Sequence, residues 1–523
     1  MAVEKLPPDY ENKTREKLKE DDCDKFLLII FNFAFTPMIQ DLMKELDSKF
    51  DGVKGRKAYP RVLLLIVVMY CFSENINNYN KMSKECKKNK YLNTILDNRK
   101  PSKGTLTNFM NDRDVDVTHR IFISTLVMLN DIKAFSISKV FIDGTDILVR
   151  ASRSYWLKQK DLDAMYQLDE WNLLHDGSEK SIQKSLMGLD IKLEEYKDDE
   201  EMVKLIKSAK RRIKIHKHKV FAKRKRYEKI FEKQGDVKIS IIFPESVYMK
   251  TKKGRFDFAF NLQEVMTKNH IVFLGIMLSQ PNDGKALPDV YHHMKNTLDI
   301  FLEMQAKYGE RNNPNKFERE FAKIIIMADA GYFTVYNIYF IFKNRINAII
   351  KPNTESREDN NNSRNKSGNS KKEKKSIRKY FTRVKGGYRC NQKKFLGFSK
   401  TIAIKHRKPH KDDELPDVCK TERQIYSRKS CSGCKYDKIC PKKIEDRKPF
   451  LLRWATERFL DKRRNFDYNR RSPISEGING FHKSDDGSIK FVGTTLNAVK
   501  TECDFRNAIY NLTRDETLLE EGY

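Results

Sequence analysis

Residues 138–149 read SKVFIDGTDILV and residues 324–333 read IIIMADAGYF, and these two stretches decide the fold class. The first has β-branched and aromatic residues on both sides of a polar centre, which predicts a strand that carries Asp143. The second is a continuous apolar run, typical of a buried strand, and it ends at Asp329. An acid in an apolar strand is costly to bury unless it is paired or binds a cation.

Further strands and a helix are predicted around these two stretches. Two segments joined by a short turn have a strand pattern, and a later one repeats the buried-strand pattern: Phe258–Val265, His270–Ser279 and Asn347–Ile350. A helix is predicted at Phe333–Lys343. Strands that become continuously apolar and alternate with helices are typical of a mixed sheet, so the sequence predicts an α/β fold.

Asp143 and Asp329 converge if their strands are neighbours in this sheet. An oxygen-rich site of this kind suits Mg²⁺ or Mn²⁺, because both ions prefer carboxylates and retain water. The alternative is that each aspartate caps the helix or turn that follows it. Asp146 faces the other side of the sheet from Asp143 if the whole first stretch is a strand, so we leave it out of the candidate site.

A third acid, Glu476, lies in residues 468–483, which read YNRRSPISEGINGFHK. Ser472 is a predicted N-cap and Pro473 suits a first helical turn, which puts Glu476 about one turn into a helix. Taken alone, an acid near a helix start is an ordinary surface residue that the helix dipole favours.

Three neighbours of Glu476 suit contacts with a substrate that carries a phosphate. Lys483 follows two helical turns later on the same face, where a lysine can address a phosphate beside a metal. Upstream, Tyr468 supplies an aromatic hydroxyl, and Arg471 supplies a bidentate phosphate donor.

The chain as a whole is strongly basic. Its 523 residues include 103 Lys and Arg against 72 Asp and Glu, a formal charge of +31, which indicates a polyanionic partner, most often nucleic acid. The longest apolar runs, Phe26–Phe35 and Val62–Phe72, are about half of the ~20 residues that a membrane-spanning helix needs. The N-terminus lacks the basic and then apolar pattern of a signal peptide. We therefore expect no membrane partner and a cytoplasmic location.

A helical region precedes the predicted sheet, from Asp24 to about Leu129. Two short helices are predicted within about Asn80–Leu96, and a third begins after Ser102, which suits an N-cap. This arrangement fits a helix-turn-helix, in which Lys103 and Thr105 would contact DNA. An ordinary helical bundle with a basic exterior fits equally well.

A first insertion, at about residues 150–236, is helical and very basic in its second half. Four apolar residues recur every seven positions, as in a helix packed against a partner helix: Ile206, Ile213, Val220 and Tyr227. Residues 207–229 are dense in Lys and Arg with a single acid, Glu228, which favours binding to phosphates over a merely solvated face. The candidate contacts are Lys210, Arg211, Arg212, Lys223, Arg224, Lys225 and Arg226.

A second insertion follows Lys351 and opens with a polar low-complexity segment, residues 353–376, which we expect to be a disordered linker. It holds the Cys-x-x-Cys pair Cys431 and Cys434, with Cys440 close behind. That spacing suits a zinc knuckle, and a fourth thiolate, Cys390 or Cys419, would complete a tetrahedral site. The alternative is a set of reduced thiols in a loop. Trp454, the insertion's one tryptophan, suits a buried core position better than a base-stacking one.

Taken in order, FIDGTD at 141–146, IIIMADAGYF and the stretch at 468–483 resemble the DDE transposases of bacterial insertion sequences, which have an RNase H-like core. Tyr-x-x-Arg, then Glu, then six residues and Lys is similar to the Tyr-Arg-Glu-Lys signature of one large branch. This chain has one extra residue between Arg471 and Glu476.

The resemblance extends over most of the chain. YPRVLLLIVVMYCF at 59–72 and PSKGTLTNF at 101–109 resemble the helical N-terminal region of that group, and FNLQEV with the later QPNDGKAL resembles its second and third strands. The implied domains are a helical DNA-binding domain at 1–135, a first part of the core at 136–353, an insertion at 354–460 and the C-terminal core helices with Glu476 at 461–523.

The resemblance also implies roles and partners. Asp143, Asp329 and Glu476 would hold two Mg²⁺ or Mn²⁺ ions, which activate a nucleophile and stabilise the leaving oxygen in strand cleavage and strand transfer. Cys390 is the implied fourth zinc ligand, because the resembling transposases carry Tyr-x-Cys at that place. The implied partners are double-stranded DNA, at element ends and at the target, and a second copy of the chain in a synaptic complex.

Three other functions remain open on sequence alone. A catalytically inactive DNA-binding protein derived from a transposase would keep the basic surface without cutting DNA. A nuclease with the same core would cut without joining. A basic RNA-binding protein is compatible with the charge, but the aromatic sheet motif of the commonest RNA modules is missing from the sequence.

Overall fold

The computed structural model describes most of the chain. The described ranges are residues 3–48, 58–111, 115–149, 156–216, 224–311, 313–352, 381–402, 421–428, 443–461, 467–483, 489–493 and 495–520, with Cys434, except for residues 177, 236, 242, 252–253 and 391. The predicted linker at 353–376 lies outside them.

The strands follow the N-terminal helices and continue to just before the C-terminal helix. In chain order they are β1 (Lys139–Leu148), β2 (Trp156–Leu157), β3 (Ile239–Ser240), β4 (Val247–Lys250), β5 (Phe256–Thr267), β6 (Val272–Leu278), β7 (Ile325–Ala328), β8 (Asn347–Ile350), β9 (Phe381–Val384), β10 (Gly387–Cys390), β11 (Phe395–Ile402), β12 (Thr421–Ser427), β13 (Lys443–Pro449) and β14 (Ile489–Lys490).

Helices surround these strands and form the N-terminal region. They are α1 (Tyr10–Glu20), α2 (Lys25–Ala34), α3 (Pro37–Ser48), α4 (Arg61–Ser73), α5 (Tyr79–Lys88), α6 (Lys90–Ile95), α7 (Lys103–Asn111), α8 (Val115–Asp131), α9 (Gln159–Tyr166), α10 (Asp169–Asn172), α11 (Glu179–Glu195), α12 (Glu200–His216), α13 (Arg224–Gln234), α14 (Leu287–Tyr308), α15 (Pro314–Ala322), α16 (Val335–Lys343), α17 (Phe450–Leu460), α18 (Arg471–His482) and α19 (Leu496–Glu520).

The central sheet is mixed, which confirms the predicted α/β class. Its strand order is β4-β5-β1-β7-β8, with β6 also paired to β5 and β14 also paired to β1. β1 runs antiparallel to β5 and parallel to β7, and β7 runs parallel to β8. β1 is therefore the strand at which the sheet changes from antiparallel to parallel pairing.

The parallel strands β7 and β8 are buried over most of their length. Ile326, Met327 and Ala328 of β7 and Ile349 of β8 are at most 1% exposed, as continuous apolar runs in parallel strands require. One apolar cluster joins these strands to the N-terminal helices, to α14 and to the C-terminal helix α19. The helical N-terminal region thus shares its core with the sheet.

Both insertions have small cores of their own. The first contains α9 to α13 and the two-stranded β2–β3 pair, around a cluster that includes Trp171, Ile206, Ile213 and Tyr227. Three of the four residues at the predicted seven-residue spacing are therefore buried, and Val220 lies outside the described residues. The second insertion contains an antiparallel sheet in the order β13-β12-β11-β10-β9.

Several element boundaries differ from the predictions by one or two residues: the strand predicted at Phe258–Val265 is Phe256–Thr267, and the helix predicted from Phe333 begins at Val335. β6 begins at Val272 rather than at His270, because His270 has a left-handed φ of 61° in the preceding turn, which ends strand geometry there. α18 begins at Arg471, so Ser472 lies inside the helix and the predicted Ser472 cap is wrong. The Ser472 hydroxyl donates a hydrogen bond to Glu476 instead, 2.6 Å from the carboxylate oxygen Oε1.

Candidate active site

β1 and β7 bring Asp143 and Asp329 to the same level of neighbouring strands, with Asp143 in the middle of β1 and Asp329 directly after β7. Ile142 is in register with Ala328 across the parallel pair, so the two aspartates are the next residues on each strand. Asp329 ends β7 and begins a short 3-10 helix, Ala330–Tyr332, and its Oδ1 accepts a hydrogen bond from the Gly331 N–H at 2.7 Å. Asp329 therefore also has the capping role that was the alternative prediction for it.

Helix α18 crosses β1 and supplies two hydrogen-bond donors to Asp143. The Arg471 guanidinium lies 3.3 Å from Oδ1 and the Asn479 amide lies 3.2 Å from Oδ2. The side chains of Arg471 and Asp143 are only 16% and 19% exposed. Asn479 was missed from the sequence, although its spacing of eight residues from Arg471 places both on one helix face.

Arg471 responds to both aspartates. Burial lowers the pKa of its guanidinium, but Asp143, the Tyr468 hydroxyl and Asp329 outweigh that effect, and the net pKa is raised. Burial raises the pKa of Tyr468, whose hydroxyl donates to the carbonyl of Ala328 at 3.1 Å, directly before Asp329. Arg471 and Tyr468, which were predicted to contact DNA, thus contact the candidate site itself: Arg471 binds Asp143, and Tyr468 binds the backbone just before Asp329.

Glu476 lies on the exposed side of α18, one turn before Asn479. Its carboxylate accepts the hydrogen bond from Ser472. Lys483, which the sequence placed on the same helix face, is the exposed residue directly after α18. Within the part of the chain that the structure describes, no three His, Cys, Asp or Glu side chains are grouped so as to hold a metal ion. The pair Asp143 and Asp329 is what the geometry assembles.

A polar network that the sequence did not reveal lies beside this pair. Asp283, in the loop between β6 and α14, accepts through Oδ1 from Gln263 at 2.7 Å and from Asn261 at 3.0 Å. The Tyr332 hydroxyl donates to Gln263 Oε1. Burial raises the pKa of Tyr332, and the carboxylates of Asp283, Asp143 and Asp329 raise it further. Three aspartate carboxylates therefore act electrostatically on this buried hydroxyl.

Another buried pair fixes the far end of α18. His482 Nε2 lies 2.9 Å from Glu264 Oε1, and the two side chains are 0% and 2% exposed. Glu264 is the β5 residue directly opposite Asp143. Together with Arg471 and Asn479, His482 holds α18 across β1 and β5.

The basic residues of the first insertion differ in how exposed they are. Lys210 forms an ion pair with Asp190, and Arg212 donates to the carbonyl of Trp156 at 3.2 Å. Burial lowers the pKa of Arg212. Arg211 is exposed, and so are Lys207 and Lys214, which the sequence prediction left out of its contact set. Lys225 is also exposed, whereas Lys223 and the side chains of Arg224 and Arg226 lie outside the described residues.

The predicted N-terminal contacts lie at the start of α7. Ser102 Oγ accepts from the Thr105 N–H at 3.1 Å, so the predicted cap is present. Lys103 is exposed and Thr105 is half-buried. Trp454, on α17, is half-buried, with Phe342 edge-on at a centroid distance of 5.5 Å and the Arg458 guanidinium 4.8 Å above its ring.

Of the predicted zinc ligands, Cys390 and Cys434 are partly buried free thiols. Cys431, Cys440 and the alternative ligand Cys419 lie outside the described residues. Among the described helices, no single one is long and apolar enough to cross a membrane. The bent pair α2 and α3 reaches the required length and apolarity only when taken together.

One comparison with known proteins gives a match. A family model described as "Transposase domain (DUF772)" matches residues 16–112, which run from α1 to the end of α7. No curated protein and no solved structure matches the chain. The helical N-terminal region is therefore similar to a domain of transposases, which indicates a transposase-related, DNA-processing function.

Proposed function

We propose that this chain is a DDE-type transposase of an insertion sequence, which binds terminal inverted repeats and catalyses metal-dependent cleavage and transfer of DNA strands. The observation that carries the proposal is that Asp143, within β1, lies level with Asp329 at the carboxyl end of the parallel neighbour β7. The transposase-domain match at residues 16–112 makes this chemistry the first choice for such a pair.

The sheet supports the RNase H-like part of the proposal. β1 pairs antiparallel with β5 and parallel with β7, and its Asp143 lies level with the carboxyl end of β7. In the proposed domain plan, residues 136–353 and 461–523 form this core. The helical domain at 1–135 precedes it, and the insertion at 354–460 separates its two parts.

The residues fit the divalent cation that the proposal needs. Mg²⁺ keeps several waters and is bound through one or two carboxylates together with substrate phosphates, which matches what Asp143 and Asp329 offer. We propose Glu476 as the third ligand, with its carboxylate turned from Ser472 toward the two aspartates. Two such ions would activate the attacking hydroxyl or water and stabilise the leaving oxygen. Arg471, which neutralises Asp143 in this structure, would be available to a DNA phosphate once a cation takes its place.

The partners follow from the same proposal. The basic first insertion, Lys103 and Thr105 of α7, and Lys483 would hold the DNA backbone of element ends and target. Two copies of the chain would bring two ends together. Structural Zn²⁺ held by Cys390, Cys431, Cys434 and Cys440 would stabilise the second insertion.

Cleavage of an end-labelled duplex that carries the inverted repeats flanking the gene tests the enzyme proposal. We expect Mg²⁺ or Mn²⁺ to support strand cleavage and joining by the wild type. Asp143→Ala and Asp329→Ala should each lower the rate by about 100- to 1,000-fold or more, because each removes charge stabilisation at the reacting phosphate. Asp299→Ala, at an exposed position of α14, is the matched control and should cut normally.

A non-catalytic DNA-binding protein is the second candidate, because Glu476 is exposed and bonded to Ser472 rather than grouped with the two aspartates. This candidate predicts tight binding of the same duplex with no cleavage by the wild type in either metal. Glu476→Gln then separates the readings: it should abolish cleavage if Glu476 is the third acid. Nicks without joined products would indicate a nuclease.

A further inference from the structure

Asp283 has no part in the proposed metal triad. It nevertheless lies against the two segments that carry Asp143 and Asp329, near Gly144 and Gly331. It begins the short 3-10 helix Asp283–Lys285 between β6 and α14. Its Oδ1 is held by the amides of Gln263 and Asn261, both on β5. The carboxylate is thereby fixed over the middle of the sheet.

The space around Asp283 explains a glycine in each acid-bearing motif. Gly144 follows Asp143, and a Cβ at Gly144 would overlap Asp283 Oδ1 and lie 2.7 Å from Gln263 Nε2. Gly331 lies two residues after Asp329, and a Cβ there would be 3.0 Å from both Asp283 Oδ2 and Asp329 Oδ1. Neither glycine has a positive φ, so close approach rather than backbone conformation requires them.

The backbone of the Asp283 loop is tied to the turn that follows Asp329. The Asn337 amide donates to the carbonyl of Asp283 at 2.9 Å and to that of Tyr332 at 3.1 Å. The Thr334 hydroxyl donates to the carbonyl of Gly284. With the bond from Tyr332 to Gln263, these contacts connect the loop, the turn and β5 in one network.

The geometry points to Asp283 as a positioning residue. Its carboxylate, lodged between Gly144 and Gly331, holds the β1 backbone at Asp143 and the turn at Asp329 at a fixed separation. This role rests on the proposed function for its catalytic consequence, because two metal-binding acids must be held within a fraction of an ångström to act together. Its structural consequence, an ordered turn at residues 330–334, does not depend on catalysis.

The test compares Asp283→Asn with Asp283→Ala, with Asp299→Ala as control. The Asn side chain keeps an oxygen that accepts from Gln263 and Asn261, whereas Ala removes it. In Mg²⁺-dependent cleavage we expect Asp283→Ala to lower kcat by about 100-fold, the scale of a misplacement near 1 Å, with the Kd for DNA unchanged. Asp283→Asn should restore kcat to within about tenfold of the wild type, at the same Mg²⁺ concentration for half-maximal rate.

Hydrogen exchange provides a readout that needs no activity. The amides of residues 330–334 should exchange faster in Asp283→Ala and at the wild-type rate in Asp283→Asn and Asp299→Ala. Wild-type kcat and exchange in Asp283→Ala would overturn the inference. Equal loss of kcat in both variants, with a raised Mg²⁺ requirement, would also overturn it, since Asp283 would then be a metal ligand. A wild type that does not cleave refutes the proposed function, and the exchange data then decide the positioning role alone.

Discussion

Arg471 controls the charge of the candidate site in this structure. Its guanidinium lies 3.3 Å from Asp143 Oδ1, and both side chains are largely shielded from solvent. A carboxylate shielded in this way is costly unless a cation compensates it. In the proposed function, a divalent metal would take over the electrostatic role that Arg471 has beside Asp143 in this structure.

At Gly144 the candidate site leaves no room for a side chain. We predict that Gly144→Ala lowers the free energy of unfolding by about 1–3 kcal/mol, because the added methyl overlaps Asp283 Oδ1 and the Gln263 amide, and the polar network must shift. Chemical denaturation monitored by circular dichroism measures this loss.

Gly480→Ala is the control for Gly144→Ala. Gly480 lies within α18 and a Cβ there would have no neighbour within 4 Å. This variant should be neutral or more stable by about 0.5–1 kcal/mol, since alanine favours the helix. Equal stability of Gly144→Ala and the wild type would contradict the packing that we describe around Asp283.

Helix α18 shows what an element contributes that its sequence does not reveal. Arg471, Asn479 and His482 lie on one face and bind Asp143 and Glu264 on two different strands. Residue periodicity predicts that such a face exists, but not which strand it meets. β7 and β8 were predicted to within one residue, because a continuous apolar run is a local signal. Asp283 was missed, because its partners lie about twenty residues away on β5 and no local pattern reveals them.

The predicted DNA contacts in α12 show a similar limit. The density of Lys and Arg marks this stretch as basic, but it does not distinguish the half-buried Lys210 and Arg212 from their exposed neighbours. Lys207, Arg211 and Lys214 are spaced as i, i+4 and i+7 and are exposed. We define these three residues as the α12 basic face.

Replacing the α12 basic face by three alanines should weaken duplex binding at low salt. Each phosphate contact contributes about −0.9 to the slope of log K against log salt concentration, so losing three contacts should make the slope less negative by roughly 2 to 3. Fluorescence anisotropy over a range of NaCl concentrations measures this slope.

A triple variant of equal charge change controls for the loss of net charge. Lys295→Ala, Lys307→Ala and Arg319→Ala remove three exposed cations from α14 and α15. This variant should leave the slope within about one unit of the wild type. If both triple variants change the slope equally, the α12 basic face has no specific role and the DNA responds only to the overall charge.

Buried polar contacts connect the N-terminal region with the C-terminal helix α19. In α19, Glu502 binds Arg506 at 3.0 Å and accepts from the backbone N–H of Gly493 at 3.0 Å, near β14. Arg506 also donates to Asn77, in the N-terminal region between α4 and α5. The first and last parts of the chain are thus linked directly, and we expect them to unfold together.

His119 makes this linkage sensitive to pH. Its Nδ1 lies 3.2 Å from Asp504 of α19, and its Nε2 lies 3.1 Å from Thr297 of α14. Burial lowers the pKa of His119, but Asp504 and Asp116 together outweigh burial, so the pKa is raised above 6.5 in the folded state. Protonation therefore stabilises the fold: the contribution is fully present below pH 6.5 and is lost as the pH rises through the folded pKa.

We predict that the free energy of unfolding of the wild type falls as the pH is raised from 6.5 to 8, and that His119→Gln removes most of this slope, because glutamine does not titrate. The variant should also be less stable at pH 6.5 by about 1–3 kcal/mol, since Asp504 loses a charged partner. Denaturant titrations at half-unit pH intervals measure both effects.

Burial raises the pKa of Asp515 to about 6, so its titration affects stability mainly below this range. His292→Gln, at an exposed histidine of α14, is the control and should keep the wild-type dependence of unfolding free energy on pH. If His119→Gln also keeps that dependence, the contact with Asp504 does not link stability to pH.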